Sequence, residues 1–512
     1  MISVSLVLLL LCGFINCENI LAMFPVPSYS HYTLGFNLVT ELLQKGHHVT
    51  LVSPYDLKKP LENCTAIKTD YKFNNEDDSP IKIFMEHGVP PMHEWHLEST
   101  GYKMVIAKSV FQSKRIKKSL FESNRTFDLI IYDHFAGNIY TALGHLFKCP
   151  VVLLIPNSAS VYDNYIFGNP EPVSYIPQLG TMLSQGMGTT DVVLNIWYRL
   201  LFYYYEFFHF IPNQNELLQE TLGPMPNLKE LMYNVSLGLL TSHPSFSQPL
   251  PLTKNMKEIG GFHVSPNKEL PNHLQEFLDA ANKGAILFTT GSIIKCSSMT
   301  HVKRQYILDA FIKLEQKVLW KCDKVLPGKP DQIKSQYWLP QQDILAHPNI
   351  KLFISHCGLL SLTEAVHHGV PILCLPVYFD QFQNADFAVK NGFGLKIEFK
   401  DLTTNELYNA IQELLSNNSY KENALKRSKI LHDEPVSPRE SAVFWLEYVM
   451  KHKEADHLRS PELNLNWKQL YFIDVIALLL LWVMMLVVLF NRVYYILKDS
   501  MRNNVTSKSK NE

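Results

Sequence analysis

The feature that most limits what this chain can fold into is a twice-repeated alternation of short apolar runs with amphipathic ones. Asn19 to Val26 is strand-like, the loop PSYSH follows, Tyr32 to Lys45 places Leu34, Leu38 and Leu42 at helical spacing, and Gly46 closes that helix before HHVTLVS forms a second strand. Strand, helix, strand in succession implies a parallel sheet with helices on its faces. FDLIIYD (127–133), a helix from Asn138 to Phe147 and PVVLLIP (150–156) continue the series. A stretch rich in Pro and polar residues, SHPSFSQPLPLTKN and then SPNKELPNH, precedes a second series that starts at AILFTTGS (285–292) and runs through KVLWKC, KLFISH and PILCLP to about residue 450. The sequence therefore predicts an α/β fold of two tandem domains, 18–265 and 266–455, with one deep cleft between their sheets. A length of 512 residues agrees, since it exceeds what one hydrophobic core usually organises.

Both ends carry membrane-related signals. VSLVLLLL (4–11) is too short to span a bilayer but suits a secretory signal peptide over residues 1–17, although no Lys or Arg precedes it. Residues 470–490, LYFIDVIALLLLWVMMLVVLF, are long enough for a transmembrane helix and hold one charge, Asp474. Arg492, Lys498 and Arg502 follow closely, so residues 491–512 are read as a cytoplasmic tail and the body as lumenal. The sequons at Asn63, Asn124, Asn234 and Asn417 are then open to glycosylation, and Asn504 in the tail is not. Lys508 and Lys510 form a spaced pair that resembles a retrieval signal for the endoplasmic reticulum.

Lys plus Arg number 47 against 48 Asp plus Glu, and no basic stripe interleaves with aromatics, which argues against nucleic acid as a partner. Of 8 Cys, two lie in the signal segment and the rest lack CxxC spacing, which disfavours zinc; disulfides are compatible with an oxidising lumen, in pairings the sequence does not reveal.

The stretch FISHCGLLSLTEAVHHGVPILCLPVYFDQ (353–381) is the richest in chemistry. KLFIS reads as a strand, His356-Cys357-Gly358 as a turn, and Ser361 with Glu364 has the spacing of a capping box opening a helix that ends at Gly369. A helix N-terminus at the carboxyl edge of a parallel sheet suits a diphosphate. The following strand delivers Asp380 and Gln381 to the same edge, a carboxylate and an amide that together can hold paired sugar hydroxyls. Cys357, just before a helix start, is read either as a reactive thiol facing a bound nucleotide or as a small buried filler.

With these spacings, and with Trp338-Leu-Pro-Gln341 and Ile344-Leu-Ala-His347-Pro348 before them, the sequence resembles the UDP-glycosyltransferases, the membrane-bound UDP-glucuronosyl and UDP-glucosyltransferase family. The resemblance covers nearly the whole chain and is most specific in the second half. It implies two Rossmann-like domains facing a cleft, the fold called GT-B, followed by the C-terminal transmembrane helix. It also implies a UDP-sugar as co-substrate and no cofactor or metal. Carried over by position, Trp338 and Gln341 would meet the uracil and Glu364 the ribose. His356, Gly358 and Ser361 would hold the diphosphate, with Ser292 nearby, and Asp380 and Gln381 the donor sugar. Cys357 stands where the family more commonly has Gly. Leu360, in place of the Asn of many vertebrate relatives, brings the chain nearer to invertebrate members and implies UDP-glucose as donor, with UDP-glucuronate as the alternative.

Displacement at an anomeric carbon needs a base for the acceptor hydroxyl and a stabilised leaving group. His31, where the first strand gives way to a helix, is the candidate base, and Asp133, ending another strand, the group that orients it; His134 beside Asp133 leaves the choice of partner open. The family uses a His and an Asp at these two motif positions. An inactive sugar-nucleotide-binding membrane protein would be expected to lose one of them, and a lumenal hydrolase would want a GxSxG elbow, which the chain lacks. The acceptor reads only as a small lipophilic alcohol or phenol, and homo-oligomerisation is left open. The aromatic segment VVLNIWYRLLFYYYEFFHFIP (192–212) reads equally as a core helix or as an acceptor-pocket or membrane-surface helix.

Overall fold

The computed structural model describes residues 17–71, 80–90, 92–184, 186–324 and 326–508. The signal segment before Cys17 and Lys510 of the terminal pair lie outside them.

Residues up to Arg459 hold two wholly parallel sheets. The first has strands β1 (Asn19–Met23), β2 (His48–Ser53), β3 (Cys64–Lys68), β4 (Leu129–Asp133), β5 (Val151–Ile155), β6 (Leu237–Leu240) and β7 (Met256–Glu258), in the order β3-β2-β1-β4-β5-β6-β7. The second has β8 (Ala285–Thr289), β9 (Lys317–Lys321), β10 (Ile333–Gln336), β11 (Ile350–Ser355), β12 (Ile372–Cys374) and β13 (Gly394–Lys396), ordered β10-β9-β8-β11-β12-β13. In each the strand order reverses in the middle, at β1/β4 and at β8/β11, which opens a crevice at the carboxyl ends of those strands.

Strand alternation divides each sheet between two cores. Leu21, Met23, Ile130 and Tyr132 pack on one face of the first sheet, and Ile20, Ala22, Leu129 and Ile131 on the other. Burial on both faces explains the unbroken apolar runs that mark these strands in the sequence. The strands the sequence did not announce, β3, β6, β7, β10 and β13, are three to five residues long, and of these only β6 is fully buried.

Two helices depart from expectation in ways that matter. The helix expected from Tyr32 spans Tyr29–Gln44, with Ser28 extended at its N-cap, so His31 lies in its first turn and not in a loop. Helix Pro438–Lys451 follows the second sheet in sequence yet packs Ala442, Leu446 and Val449 into the first sheet's core beside Leu38 and Leu42.

The segment 192–212 is helical throughout: helix Thr189–Tyr205 passes through a wider turn at Glu206–Phe210 into helix Ile211–Leu222. It is two-faced. Asn195, Arg199, Phe202, Glu206 and Phe210 are buried, while Trp197, Leu200, Tyr204 and Phe208 are exposed.

Residues 460–512 form a separate unit. Phe472, at φ 56°, ends the short helix Trp467–Leu470 before helix Ile473–Lys508 begins. Its residues Ile473–Met501 are long and apolar enough to cross a membrane.

Candidate active site

The loops leaving β1 and β4, and those leaving β8 and β11, carry the chemistry. Asp133 ends β4 with one carboxylate oxygen accepting from the Phe135 amide at 3.0 Å. Its other oxygen lies 2.6 Å from His31 Nδ1. That pairing engages Nδ1 and leaves Nε2 as the ring's remaining nitrogen. His134 is engaged elsewhere: its Nδ1 is 2.7 Å from Asp163 and its Nε2 3.0 Å from Asn138.

On the second sheet, the ring of His356 nests between two glycines. A Cβ at Gly291, whose φ is 78°, would stand 2.6 Å from His356 Cε1, and one at Gly358 would stand 2.7 Å from Nε2. Burial, reinforced by Lys321, pulls the imidazole down to about 4, so it is neutral at physiological pH and can offer a diphosphate a hydrogen bond but no charge. The nearby charge is Lys321, at the end of β9. It donates to the Gly291 carbonyl at 2.7 Å and lies 4.5 Å over the Trp338 ring; burial pulls it down to about 8. Trp338 is half exposed and meets Tyr29 of the first half edge to face at 5.0 Å, a surface on which a base can stack. Ser292 stands beside Gly291, half-buried.

Ser361 and Glu364 do not form the expected capping box. Helix Leu359–His367 starts after Gly358, which places Glu364 beyond the first turn, and both side chains turn to Gln341 instead. Gln341 Nε2 donates to Ser361 Oγ at 3.1 Å and to Glu364 Oε2 at 2.7 Å, while its oxygen accepts from Thr289 Oγ1 at 2.6 Å. The amide therefore braces the carboxylate. Glu364 Oε1 is 3.7 Å from Nε2 of His263, a buried histidine whose ring nitrogens make no hydrogen bond among the described residues.

Asp380 accepts from Asn384 Nδ2 at 2.7 Å and from the backbone N–H of Leu359, so the positive end of that helix already faces a carboxylate. Burial pushes Asp380 up to about 6, against these hydrogen bonds and the attraction of His31 across the cleft. Gln381 is buried, and its oxygen accepts from the amides of Val377 at 2.8 Å and Tyr378 at 3.2 Å, which shapes the loop that presents Asp380.

The reactive-thiol reading of Cys357 is overturned. Cys357 is fully buried and disulfide-bonded to Cys374 of β12. Its φ of 64° lies in the left-handed region, the physical reason glycine suits this position. A second disulfide joins Cys296 to Cys322.

Sequence reasoning missed Lys321, His263 and Asn384. Asn384 had a local signal, four residues after Asp380 on the same helical face. Lys321 and His263 had none, because only the folded sheet brings them to the site.

A family model described as UDP-glucoronosyl and UDP-glucosyl transferase matches residues 21–508. The chain belongs to this family. It is 31% identical over 479 residues to UDP-glucosyltransferase 2 of Dactylopius coccus, covering 91% of this chain and 90% of that one. It is also 31% identical over 494 residues to UDP-glucuronosyltransferase 2B7 of Homo sapiens, covering 91% of both. Among solved structures, a UDP-glucose: anthocyanidin 3-O-glucosyltransferase in complex with UDP superposes with a TM-score of 0.56 at 17% identity, covering 86% of this chain and 100% of that one. The glycosyltransferase of kitacinnamycin gives 0.59 at 15% identity, over 84% of this chain and 99% of that one. The fold is GT-B, and the protein is a UDP-sugar glycosyltransferase.

Proposed function

We propose that this enzyme transfers glucose from UDP-glucose, with inversion, to a hydroxyl of a small lipophilic acceptor, and that His31 and Asp133 drive the step. The observation that carries this reading is the 2.6 Å His31–Asp133 pair at the first sheet's crevice, facing Asp380 from the second. His31 Nε2 takes the acceptor's proton as its oxygen bonds to the anomeric carbon. The bond from that carbon to the diphosphate breaks, and UDP leaves with the electron pair. Asp133 stabilises the imidazolium that forms.

Trp338 offers the uracil a ring face, Glu364 accepts from the ribose hydroxyls, and the diphosphate lies against His356, Gly358, Ser361 and Ser292. Lys321 supplies the positive charge toward the departing UDP, so no metal is needed in this scheme. Asp380 accepts from sugar hydroxyls, and Gln381 keeps its loop in place. Glucose over glucuronate is favoured by the pocket beside Asp380: its described lining includes Asn157, Ser158, Ser160, Gln383 and Asn384 and no Lys, Arg or His to pair a second carboxylate.

The same reading makes the chain a single-pass type I protein of the endoplasmic reticulum membrane, with its body lumenal and Asn63, Asn124, Asn234 and Asn417 glycosylated; all four asparagines are exposed. Microsomes given labelled UDP-glucose or UDP-glucuronate with a panel of phenols test the donor directly. Transfer from UDP-glucuronate alone would reverse the donor assignment. UDP binding with no transfer from either donor would favour the inactive binding protein.

A further inference from the structure

His263 lies in the stretch Gly260-Gly261-Phe262-His263, where the chain has left β7 and passes toward the second half. The backbone there runs close against the helix that carries Glu364: a Cβ at Gly261 would stand 4.0 Å from the Thr363 methyl. The next two side chains go opposite ways. Phe262 is buried in the first sheet's core, while His263, only 5% exposed, turns to Glu364 of the second half.

The Nε2 atom of His263 is 3.7 Å from Glu364 Oε1, just beyond hydrogen-bond reach, and neither ring nitrogen has a hydrogen bond among the described residues. A buried imidazole without partners is costly, and a side chain that only filled this space would do so better as Leu or Phe. The carboxylate opposite is half fixed. Gln341 braces its Oε2 at 2.7 Å, and Oε1 has the longer approach of His263.

We propose that His263 is the positioning residue that sets Glu364 for the ribose: with nucleotide bound, its Nε2–H donates to Oε1, and the carboxylate is then held at both oxygens. The proposal rests on the assignment of Glu364 to the ribose made above. A carboxylate offers about four lone-pair sites, so two braces leave two for the 2′ and 3′ hydroxyls. One brace lets the group turn about the fixed oxygen, whereas two fix its plane. A plane fixed in this way rejects a sugar lacking one hydroxyl, because the lone pair meant for that hydroxyl is left buried and unpaired.

The test is calorimetric titration of the full-length protein in detergent with UDP and with 2′-deoxy-UDP. UDP should bind about tenfold tighter, the scale of one hydrogen bond to a charged group. His263→Leu should cut that preference to about threefold or less by weakening UDP, with 2′-deoxy-UDP changed by no more than about twofold. His263→Gln, whose amide nitrogen can reach the same oxygen, should restore most of the preference. Binding of 2′-deoxy-UDP also reports that a variant is folded, and His263→Phe, which keeps a ring without nitrogens, replaces His263→Leu if that variant is not. A preference that survives in the folded apolar variant, equal weakening of both nucleotides, or no recovery in His263→Gln overturns the proposal. Equal binding of the two nucleotides by the unmodified protein would remove Glu364 from the ribose, and the proposal with it.

Discussion

His31 Nδ1 and Asp133 Oδ2 are 2.6 Å apart although 102 residues separate them, because β1 and β4 are neighbours at the point where the strand order reverses. Replacing His31 with Ala should lower turnover by about two to four orders of magnitude. UDP affinity, which the proposed reading assigns to the other sheet, should hardly change. Steady-state kinetics alongside UDP titration measures both, and near-normal turnover would remove His31 from the base role.

Asp380 gives a pH prediction whose sign is fixed. Its folded value, raised by burial from 3.8 to about 6, means the fold prefers the protonated acid. Stability is therefore lost as pH rises between those values, and the loss persists above them. Asp380→Asn should melt higher than the parent at pH 7.5, by on the order of 2 kcal/mol, and little differently near pH 3. Donor-dependent turnover of the parent should also fall as pH drops through about 6. A melting difference that does not vary with pH would refute the shift.

In the proposed reading Glu364 holds the nucleotide and Asp380 the sugar. Glu364→Ala should weaken both UDP-sugar use and free UDP binding, whereas Asp380→Ala should weaken donor use only. Gln341→Ala should resemble Glu364→Ala, since it releases the brace at 2.7 Å. Equal loss of UDP affinity in the Glu364 and Asp380 variants would refute the division.

The Cys296–Cys322 bridge closes a loop of 26 residues, so its removal by paired Ser substitutions should cost about 3 kcal/mol of stability. Denaturant melts with and without reductant measure this. Peptide mapping without reduction should also recover Cys357 joined to Cys374 and refractory to alkylation.

For topology, protease added to sealed microsomes should remove only the residues beyond the span. Digestion of the body without detergent would contradict a lumenal orientation.

Much of the fold was legible because strands buried on both faces must be apolar along their length, as in LIIYD and AILFT. The short strands β7 and β13 were not, since three residues carry no readable period. Individual residues of the 353–381 stretch were legible by type and spacing, but their partners were not. Ser361 and Glu364 looked like a local cap and instead answer to Gln341, and Cys357 looked like a thiol and is half of a disulfide. Local pattern reports what a residue can bond to, while the crossing of distant segments decides what it does bond to.

The return of helix Pro438–Lys451 to the first sheet means the halves are joined by two passages of chain, one entering the second half near Val264 and one leaving it before Pro438. Arg439 fastens the two together. Its guanidinium bonds Glu41 at 2.6 Å, the Val264 carbonyl at 3.1 Å and Ser265 Oγ at 2.8 Å. Two tethers clasped at one place leave a single easy hinge axis, so closure over a donor would be a rocking of the halves about Arg439, and nicking either tether alone would leave the enzyme in one piece.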